Sequence, residues 1–240
     1  MKIGICGYGR MGKLIARLAE ERQHQIVHIC DLPTDTITDA DLYIDFSTAE
    51  ALAQRLPEFC ERQIPLVIGT TGWYDEREAY AALFQKHQNK GIWSGNFSLG
   101  VILFWEIVAR AAAQMAPFAE QYEPMIHEWH HNRKLDAPSG TALQTAQHLL
   151  QHFPSKTRVV TETLQRSLAP EELHVSSTRG GQIPGTHSVI FDSLFDSLEI
   201  RHTARNREGF ALGAILAAEK LAGLPVGLYA FADVFFTDQT

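Results

Sequence analysis

The fold of this chain is decided by the stretch Lys2-Ile3-Gly4-Ile5-Cys6-Gly7-Tyr8-Gly9-Arg10-Met11-Gly12. Its first half is an apolar run typical of a strand, its second half has the spacing G-x-G-x-x-G, and a helical pattern of apolar residues follows. Strand, glycine loop and helix in this order predict a dinucleotide-binding unit. The first glycine permits a tight turn, the second lets a pyrophosphate approach the backbone, and the third packs the helix on the strand. We predict cofactor contacts from Gly7, Tyr8, Gly9, Arg10, Met11 and Gly12.

An acidic residue follows the second apolar run. Residues 25–30 are strand-like and end at Asp31, about twenty residues beyond the glycine loop, where a carboxylate can accept hydrogen bonds from both hydroxyls of an adenosine ribose. The same carboxylate repels a 2′-phosphate, and no Arg or Lys follows in residues 32–35. The sequence therefore predicts a preference for NADH, with NADPH possible.

Strand-like and helix-like segments alternate up to about residue 98. Three further strands end in polar, glycine-rich turns: residues 41–46, 65–68 and 91–94. Such alternation predicts a parallel sheet with helices on both faces, and ligands gather at the carboxyl ends of its strands. Each turn taken singly is also an ordinary turn, but their repetition at one edge favours a cofactor site. The further predicted contacts are Gly69, Thr70, Thr71, Ser94, Gly95, Asn96 and Phe97.

The pattern changes after Ser98. A long apolar helix runs to about Pro117, and strand candidates at residues 125–129, 158–161, 174–177, 187–191 and 197–201 follow, for the most part without helices of crossover length between them. This arrangement predicts a mixed or antiparallel sheet and hence a second domain. A helix over residues 208–222 closes the pattern.

The middle of the chain carries the residues best suited to chemistry. Residues 128–142 read Glu-Trp-His-His-Asn-Arg-Lys-Leu-Asp-Ala-Pro-Ser-Gly-Thr-Ala. Side chains that move protons, His130, His131 and Lys134, precede a Pro-Ser-Gly-Thr helix start. The free backbone N–H groups of a helix start bind anions, so Ser139, Gly140 and Thr141 are candidates to hold a carboxylate or phosphate. The alternative is an ordinary loop with an N-cap at Asp136 or Ser139.

A metal site formed by His127, His130 and His131 is a further alternative. Strand alternation places His130 and His131 on opposite faces, and no cysteine lies near them in the sequence. We therefore predict no metal site.

Composition excludes several classes of protein. The 240 residues have a formal net charge of -7 and no Lys/Arg-rich run, which argues against nucleic acid as a partner. Cys6, Cys30 and Cys60 are widely spaced and indicate buried thiols of a reducing compartment. No signal-like apolar segment opens the sequence, and no run approaches the roughly 18 apolar residues of a membrane span. We expect a cytoplasmic protein without a membrane partner.

Taken together, these landmarks resemble the dihydrodipicolinate reductase family, NAD(P)H-dependent reductases of the diaminopimelate branch of lysine biosynthesis. The resemblance covers nearly the whole chain. It rests on the glycine loop with Arg-Met-Gly, the motifs at residues 44–47, 69–72 and 96–101, the signature at 128–142, the segment 179–187 and a closing Asp-Val at 233–234.

The resemblance implies an activity and a division of labour. The activity is reduction of 4-hydroxy-tetrahydrodipicolinate to tetrahydrodipicolinate, with His130 and Lys134 catalytic and His131 contacting substrate. The implied fold is α/β: a Rossmann-like, doubly wound parallel sheet over residues 1–97 and 207–240, with an inserted α+β substrate-binding and tetramerisation domain on a mixed sheet over 98–206. It further implies a small cyclic dicarboxylate substrate and a homotetramer.

The chain departs from the family pattern in a few places. Its glycine loop is one residue shorter than the common Gly-x-Gly-Gly-Arg-Met-Gly, Ile102 stands where Asn is usual, and Thr186 stands where an acidic residue is common. Two rival functions stay open. One is a two-domain dehydrogenase acting on a sugar, semialdehyde or amino acid, and the other is a non-catalytic nucleotide sensor or scaffold.

Overall fold

The computed structural model describes residues 1–32 and 34–235 and divides the chain into two compact units. The first unit consists of Met1–Leu99 and the chain from Glu208 onward, and the second of Gly100–Arg207. The second unit is therefore inserted into the first. Both junctions lie within two residues of the boundaries that the family resemblance implies.

A six-stranded parallel sheet forms the centre of the first unit. Strands are numbered in chain order, β6 to β10 belonging to the second unit; those of the first are β1 Lys2–Cys6, β2 Gln25–Cys30, β3 Leu42–Asp45, β4 Leu66–Ile68, β5 Lys90–Trp93 and β11 Gly227–Ala230. Their order is β11-β5-β4-β3-β1-β2, and every neighbouring pair is parallel. The chain reverses its direction of winding between β1 and β3. Ligands of such sheets bind at that switch point, outside the carboxyl ends of the strands.

Helices cover both faces of this sheet. They are α1 Arg10–Glu21, α2 Ala49–Glu61, α3 Arg77–Lys86, α6 Glu208–Leu221 and the short α7 Phe231–Phe235. Apolar residues of α2 and α3 pack with alternate residues of β3 and β4, whereas α1 packs against α6. Because successive strand residues point to opposite faces, β3 and β4 are buried at every position. The predicted Rossmann-like parallel sheet is confirmed.

The second unit is built on a mixed five-stranded sheet. Its elements are α4 Leu99–Met115, β6 Glu123–His130, α5 Gly140–His152, β7 Arg158–Val160, β8 Glu172–Arg179, β9 Thr186–Asp192 and β10 Ser197–Thr203. The strand order is β10-β9-β6-β8-β7; β8 runs parallel to β6 and β7, and β9 runs antiparallel to β6 and β10. The sequence-based prediction of a mixed sheet is thereby confirmed.

Helices α4 and α5 pack on one face of this mixed sheet. Their apolar residues form a core with Ile126 of β6 and with apolar residues of β8 and β9. Along β6 the buried positions alternate, so Ile126, Glu128 and His130 share this face while His127 and Trp129 lie on the other. Glu128 and His130 therefore lie on the same buried face of β6 as the apolar Ile126.

Helix α4 bears on the expectation that no segment is long and apolar enough to span a membrane. Together with the 3₁₀ turn Ala116–Phe118 it forms a segment, Leu99–Phe118, long and apolar enough to cross a membrane, with a mean hydropathy of 1.4. The expectation that no run approaches this length was therefore too strong. The segment includes Glu106 and Arg110, and Phe104, Val108 and Ala112 of α4 pack into the core of the second unit.

Candidate active site

The glycine loop has the geometry that a dinucleotide requires. Gly7 adopts a φ of 83°, a backbone conformation that favours glycine. A Cβ on Gly12 would collide with the Gly7 carbonyl, so the absence of a side chain at Gly12 lets α1 lie close to β1. A Cβ on Gly9 would meet nothing within 4 Å. Gly9 is the N-cap of α1 and offers no side-chain acceptor, so the first-turn N–H groups of α1 have no side-chain partner at the cap. These features fit a pyrophosphate at the start of α1.

Asp31 lies beside this loop. Its Oδ1 accepts a hydrogen bond of 2.8 Å from the Tyr8 N–H. Asp35 accepts hydrogen bonds from the backbone N–H groups of Asp31 and Leu32, each at 2.8 Å, and these bonds hold the pKa of Asp35 below its usual range. The loop after β2 therefore places two carboxylates close together where the ribose of a dinucleotide would lie.

A buried carboxylate connects the next two strand ends. Asp45 is fully buried at the end of β3, and its Oδ1 accepts hydrogen bonds from Thr70 Oγ1 at 2.6 Å and from the hydroxyl and N–H of Ser47 at 2.7 and 3.0 Å. Thr70 itself is buried, while Thr71 beside it is exposed. A Cβ on Gly69 would collide with the Phe46 ring. Thr70 thus fixes the strand end, and Thr71 is free to meet a ligand.

The end of β5 is stabilised by its own side chains. The Ser94 hydroxyl donates to the Asn96 carbonyl at 2.7 Å, and Asn96 Oδ1 accepts from the Ser98 N–H at 2.9 Å. Gly95 is exposed, but Phe97 is 2% exposed and packs against Phe46 and Phe231. Of the predicted contacts here, Phe97 therefore has a core side chain and only its backbone remains available to a cofactor.

In the second unit, Glu128 is the centre of a polar cluster. Its side chain is 0% exposed. Three groups donate to Oε1: the Ser139 N–H at 3.0 Å, the Ser177 hydroxyl at 2.9 Å and Arg179 Nη2 at 2.6 Å. The carboxylate thereby joins β6 to β8 and to the start of α5.

Two histidines lie at the other oxygen of Glu128. His130 Nδ1 is 3.0 Å and His187 Nε2 is 3.6 Å from Oε2. His187 Nε2 also lies 3.2 Å from the Ser139 hydroxyl. Burial lowers the pKa of His187, an effect that the nearby Glu128 carboxylate opposes and the neighbouring His130 reinforces. His130, predicted to be catalytic, is therefore a member of a buried carboxylate and histidine cluster.

Lys134 lies in the loop that leads from β6 to α5. Its Nζ forms an ion pair with both oxygens of Asp136, at 2.8 and 2.9 Å, and this bond lowers the pKa of Asp136. Arg179 Nη2 donates to the Asp136 carbonyl at 2.6 Å, so the arginine that binds Glu128 also holds the lysine loop. The loop is thus tied to the cluster at Glu128.

Helix α5 begins as the Pro-Ser-Gly-Thr stretch predicts. Ser139 is its N-cap, with the hydroxyl accepting from the Ala142 N–H at 3.2 Å. Gly140 is exposed and a Cβ there would meet nothing within 4 Å, and Thr141 is half-buried. Backbone and space at this helix start suit a carboxylate.

Positive charge collects around His131. Burial lowers the pKa of its imidazole, and the charges of Arg133, His130, Arg207 and Lys134 lower it further. The chain as a whole carries a net charge of -7, so this local excess of cations stands out against an acidic background. A site of this kind favours a ligand with more than one negative charge.

Comparison with known proteins identifies the family. The family model described as "Dihydrodipicolinate reductase, N-terminus" matches residues 1–97, and the one described as "Dihydrodipicolinate reductase, C-terminus" matches residues 100–235. The chain belongs to the dihydrodipicolinate reductase family. The family predicted from the sequence is thus confirmed, and with it the assignment of the chain as a pyridine-nucleotide-dependent oxidoreductase.

Full-length relatives support this assignment. The chain is 38% identical over 239 residues to the 4-hydroxy-tetrahydrodipicolinate reductase of Christiangramia forsetii, covering 98% of this chain and 97% of the relative. It is 36% identical over 246 residues to the enzyme of the same name from Staphylococcus aureus, covering 96% and 99%. A solved structure, the dipicolinate-bound dihydrodipicolinate reductase of Paenisporosarcina sp. TG-14, has the same fold, with a TM-score of 0.80 at 21% identity over 98% of this chain and 99% of that one.

The side chains clustered around Glu128 also include atoms that could bind a metal ion. Among the residues that the structure describes, Glu128, His130 and His187 each offer one ligand atom, all within 4.8 Å of one another. Arg179 already places a positive charge 2.6 Å from the same carboxylate, which works against a second cation. The predicted alternative trio is not assembled, because His127 contacts Ser176 and Thr178 on the opposite face of the sheet.

The sequence-based interpretation did not assign a role to three members of the cluster. Glu128 and His187 lie in motifs that carry the family resemblance, and Arg179 opens the segment 179–187, but the motifs alone give these residues no separate role. Their roles depend on pairings between β6, β8 and β9 that a single sequence does not reveal. The signal available was a Glu two residues before His130, which on a strand points to the same face.

Proposed function

We propose that this chain reduces 4-hydroxy-tetrahydrodipicolinate to tetrahydrodipicolinate in the diaminopimelate branch of lysine biosynthesis. The observation that carries the proposal is the second unit's combination of a buried histidine, a tethered lysine and an open helix start. In this assignment residues 1–97 and 207–240 bind the nucleotide, and residues 98–206 bind the substrate. A bound dihydronicotinamide would supply the hydride, and the groups described below are those the chain itself provides.

The substrate's carboxylates are bound by the start of α5 and by the cations near it. The backbone N–H groups of Gly140 and Thr141 and the positive end of the helix dipole bind one carboxylate, whereas the Ser139 N–H is already bonded to Glu128 and Ser139 acts as the N-cap. Gly140 lets that group approach the backbone because no Cβ intervenes. His131 contacts the substrate from the cationic side of the loop.

Proton delivery is assigned to His130 and Lys134. Carbon protonation needs an acid that is held in place and that remains charged until it reacts. His130 Nδ1 lies 3.0 Å from Glu128 Oε2, and Lys134 forms an ion pair with Asp136. Lys134 also offsets negative charge on the substrate before any proton moves.

We propose NADH as the preferred cofactor. Asp31 lies beside the glycine loop, and Asp35, whose pKa is held low by backbone hydrogen bonds, adds a second negative charge behind it. Both oppose a 2′-phosphate. We expect kcat/KM for NADH to exceed that for NADPH by about tenfold. Equal values, or a preference for NADPH, would contradict this assignment.

The outer face of the mixed sheet is proposed to build a homotetramer. This face carries a groove of about 450 Å³ whose lining includes Met125, Trp129, Ile190 and Arg201. Arg201 lies over the Trp129 ring, 5.3 Å from its centroid. Light scattering is expected to give a tetramer for the natural chain and smaller species for Met125→Glu. A monomeric natural chain would contradict the assignment.

The cytoplasm is the proposed compartment. Cys6, Cys30 and Cys60 are free and buried, as expected of thiols in a reducing environment. Fractionation of cells is the test, and recovery with the membrane or outside the cell would contradict the assignment. We assign no nucleic-acid or membrane partner.

The deciding experiment couples enzymatically prepared substrate to oxidation of NADH and of NADPH by the purified chain. Substrate-dependent oxidation supports the proposed reaction. Turnover of a sugar, semialdehyde or amino acid in place of the dicarboxylate would favour a different two-domain dehydrogenase. Binding of NADH without oxidation in the presence of any of these substrates would favour a nucleotide sensor.

A further inference from the structure

Glu128 joins the two parts of the proposed substrate site. One oxygen accepts the N–H of Ser139 at the helix start that would hold a carboxylate, and the other lies 3.0 Å from Nδ1 of His130, the proposed acid. The Ser139 hydroxyl approaches the same pair through His187. Three strands and one helix start therefore meet at a single side chain.

The charge state of Glu128 is set by these neighbours. Burial alone would raise its pKa, but the adjacent rings of His130 and His187 and the hydrogen bonds from Ser139 and Arg179 outweigh burial and hold the pKa well below its usual range. A carboxylate that stays ionised in the interior is a strong acceptor.

The position of the carboxylate also selects which nitrogen of His130 transfers a proton. A carboxylate beside Nδ1 favours a hydrogen on that nitrogen and stabilises the imidazolium, which leaves Nε2 as the donor to substrate. Nε2 lies next to Gly185, where a Cβ would come within 2.9 Å. The absence of a side chain at Gly185 leaves room on the Nε2 side.

We propose that Glu128 is a positioning residue that fixes the Nδ1–H tautomer of His130 and, through Ser139, ties the proton donor to the carboxylate-binding helix start. This inference rests on the proposed function. It assigns to one residue an effect on both substrate binding and proton transfer. Its partners facing the cluster are His130 on β6, Arg179 on β8, His187 on β9, and Ser139 and Lys134 in the loop before α5.

The first test is Glu128→Gln, which keeps the size of the side chain and removes its charge. We expect kcat/KM to fall about 100-fold, with kcat and KM both affected. The alkaline limb of the kcat/KM profile should move to lower pH, because an amide does not stabilise the imidazolium. Affinity for NADH should stay within about twofold, because the glycine loop lies in the other unit. Glu128→Asp, which keeps the charge but shortens the side chain, should recover part of the activity and restore the limb.

Glu172→Gln is the matched control. Glu172 is also 0% exposed, lies on the adjacent strand β8, and accepts hydrogen bonds from Arg166 and from the Ala169 N–H. Its neutralisation should leave the pH profile unchanged. If Glu128→Gln lowers activity without moving the profile, to the same degree as Glu172→Gln, the role of Glu128 is only structural and the proposal is wrong.

A measurement on the natural chain covers the case in which the Glu128 variants do not fold. Nitrogen-15 spectra of the histidine rings, assigned by loss of the His130 signal in His130→Gln, report which nitrogen carries the hydrogen. The Nδ1–H form of neutral His130 supports the proposal, and the Nε2–H form overturns it. Failure of the proposed function would appear separately, as absence of substrate turnover by the natural chain with either outcome in the spectra.

Discussion

Asp45 in the first unit and Glu128 in the second are both fully buried carboxylates close to an arginine, yet their surroundings differ. Asp45 is bonded to hydroxyls and one backbone N–H, and Arg55 Nη1 stays 4.0 Å away. Glu128 accepts a bond of 2.6 Å from Arg179 and has two histidines at its second oxygen. The donors, and not the degree of burial, distinguish the two sites.

This difference reverses the direction of the pKa shift. At Asp45 burial raises the pKa, and the bonds from Thr70 and Ser47 and the charge of Arg55 do not fully compensate. At Glu128 the donors outweigh burial and the pKa falls. Hydroxyl donors are sufficient to fix the two strand ends at Asp45. At Glu128 a charged donor at short range keeps the carboxylate ionised, so that it can interact with a neighbouring histidine. The first cluster is suited to structure and the second to proton chemistry.

The largest effects are expected where the second cluster meets the substrate. His130→Gln and Lys134→Ala should each lower kcat by about 100- to 1000-fold, because each removes a proton donor, while affinity for NADH stays unchanged. Steady-state kinetics and NADH titration measure the two quantities. His148→Gln, a change at a histidine stacked on Trp105, is the control and should retain activity. Near-normal kcat in both His130→Gln and Lys134→Ala would contradict the assignment of proton chemistry to the cluster around Glu128.

Gly185→Ala should act on the same cluster from the Nε2 side. A Cβ at this position would press on His130, so we expect kcat/KM to fall by about 30-fold through misplacement of the ring. Gly181→Ala is the control for backbone strain, because both glycines have a positive φ, 58° at Gly181 and 154° at Gly185, but a Cβ at Gly181 would meet nothing within 4 Å. Equal losses in the two variants would show that backbone strain, and not contact with His130, is responsible.

Asp45→Asn tests the other half of the comparison. Because the pKa of Asp45 is raised, we expect a neutral side chain to lower activity less at this position than at Glu128. The Asn carbonyl can still accept hydrogen bonds from Thr70 and Ser47. We expect the KM for NADH to rise by about fivefold, with kcat within about twofold of the natural value. A loss of kcat as large as that of Glu128→Gln would mean that Asp45 also acts as a charge.

The two clusters were not equally visible in the sequence. Strand, glycine loop and Asp31 are contiguous or regularly spaced, so local pattern was sufficient to predict the first sheet; the cofactor contacts of the glycine loop stay a prediction. The hydrogen bond between Asp45 and Thr70 is consistent with the sequence pattern, because the two residues follow or end neighbouring strands. The burial of the Phe97 side chain is not evident from the sequence. His130, Lys134 and the start of α5 could be selected as candidates because they are close together in the chain.

The remainder of the second cluster depends on long-range pairing. Glu128 and Arg179 are 51 residues apart in the sequence and meet because β8 runs parallel to β6 in one particular register. His187 reaches the same point through the antiparallel pairing of β9 with β6, opposite Glu128. Register in a mixed sheet is set by packing of the whole core, which a single sequence does not specify.

The smallest effect is expected at Glu172, a third buried carboxylate and a reference for the other two. Hydrogen bonds from Arg166 and the Ala169 N–H lower its pKa from 4.5 to about 2. A carboxyl group with a lowered pKa in the folded state stabilises the fold above its unfolded pKa, and this contribution is lost as the pH falls from about 4.5 towards 2. Glu172→Gln should therefore be less stable than the natural chain at pH 7, and its urea midpoint should change less between pH 5 and pH 2, so that the two curves converge in acid. Parallel curves would show that Glu172 does not titrate with folding, and the ionised state would then be a property of the histidine-bearing cluster and not of every arginine-bound carboxylate in this sheet.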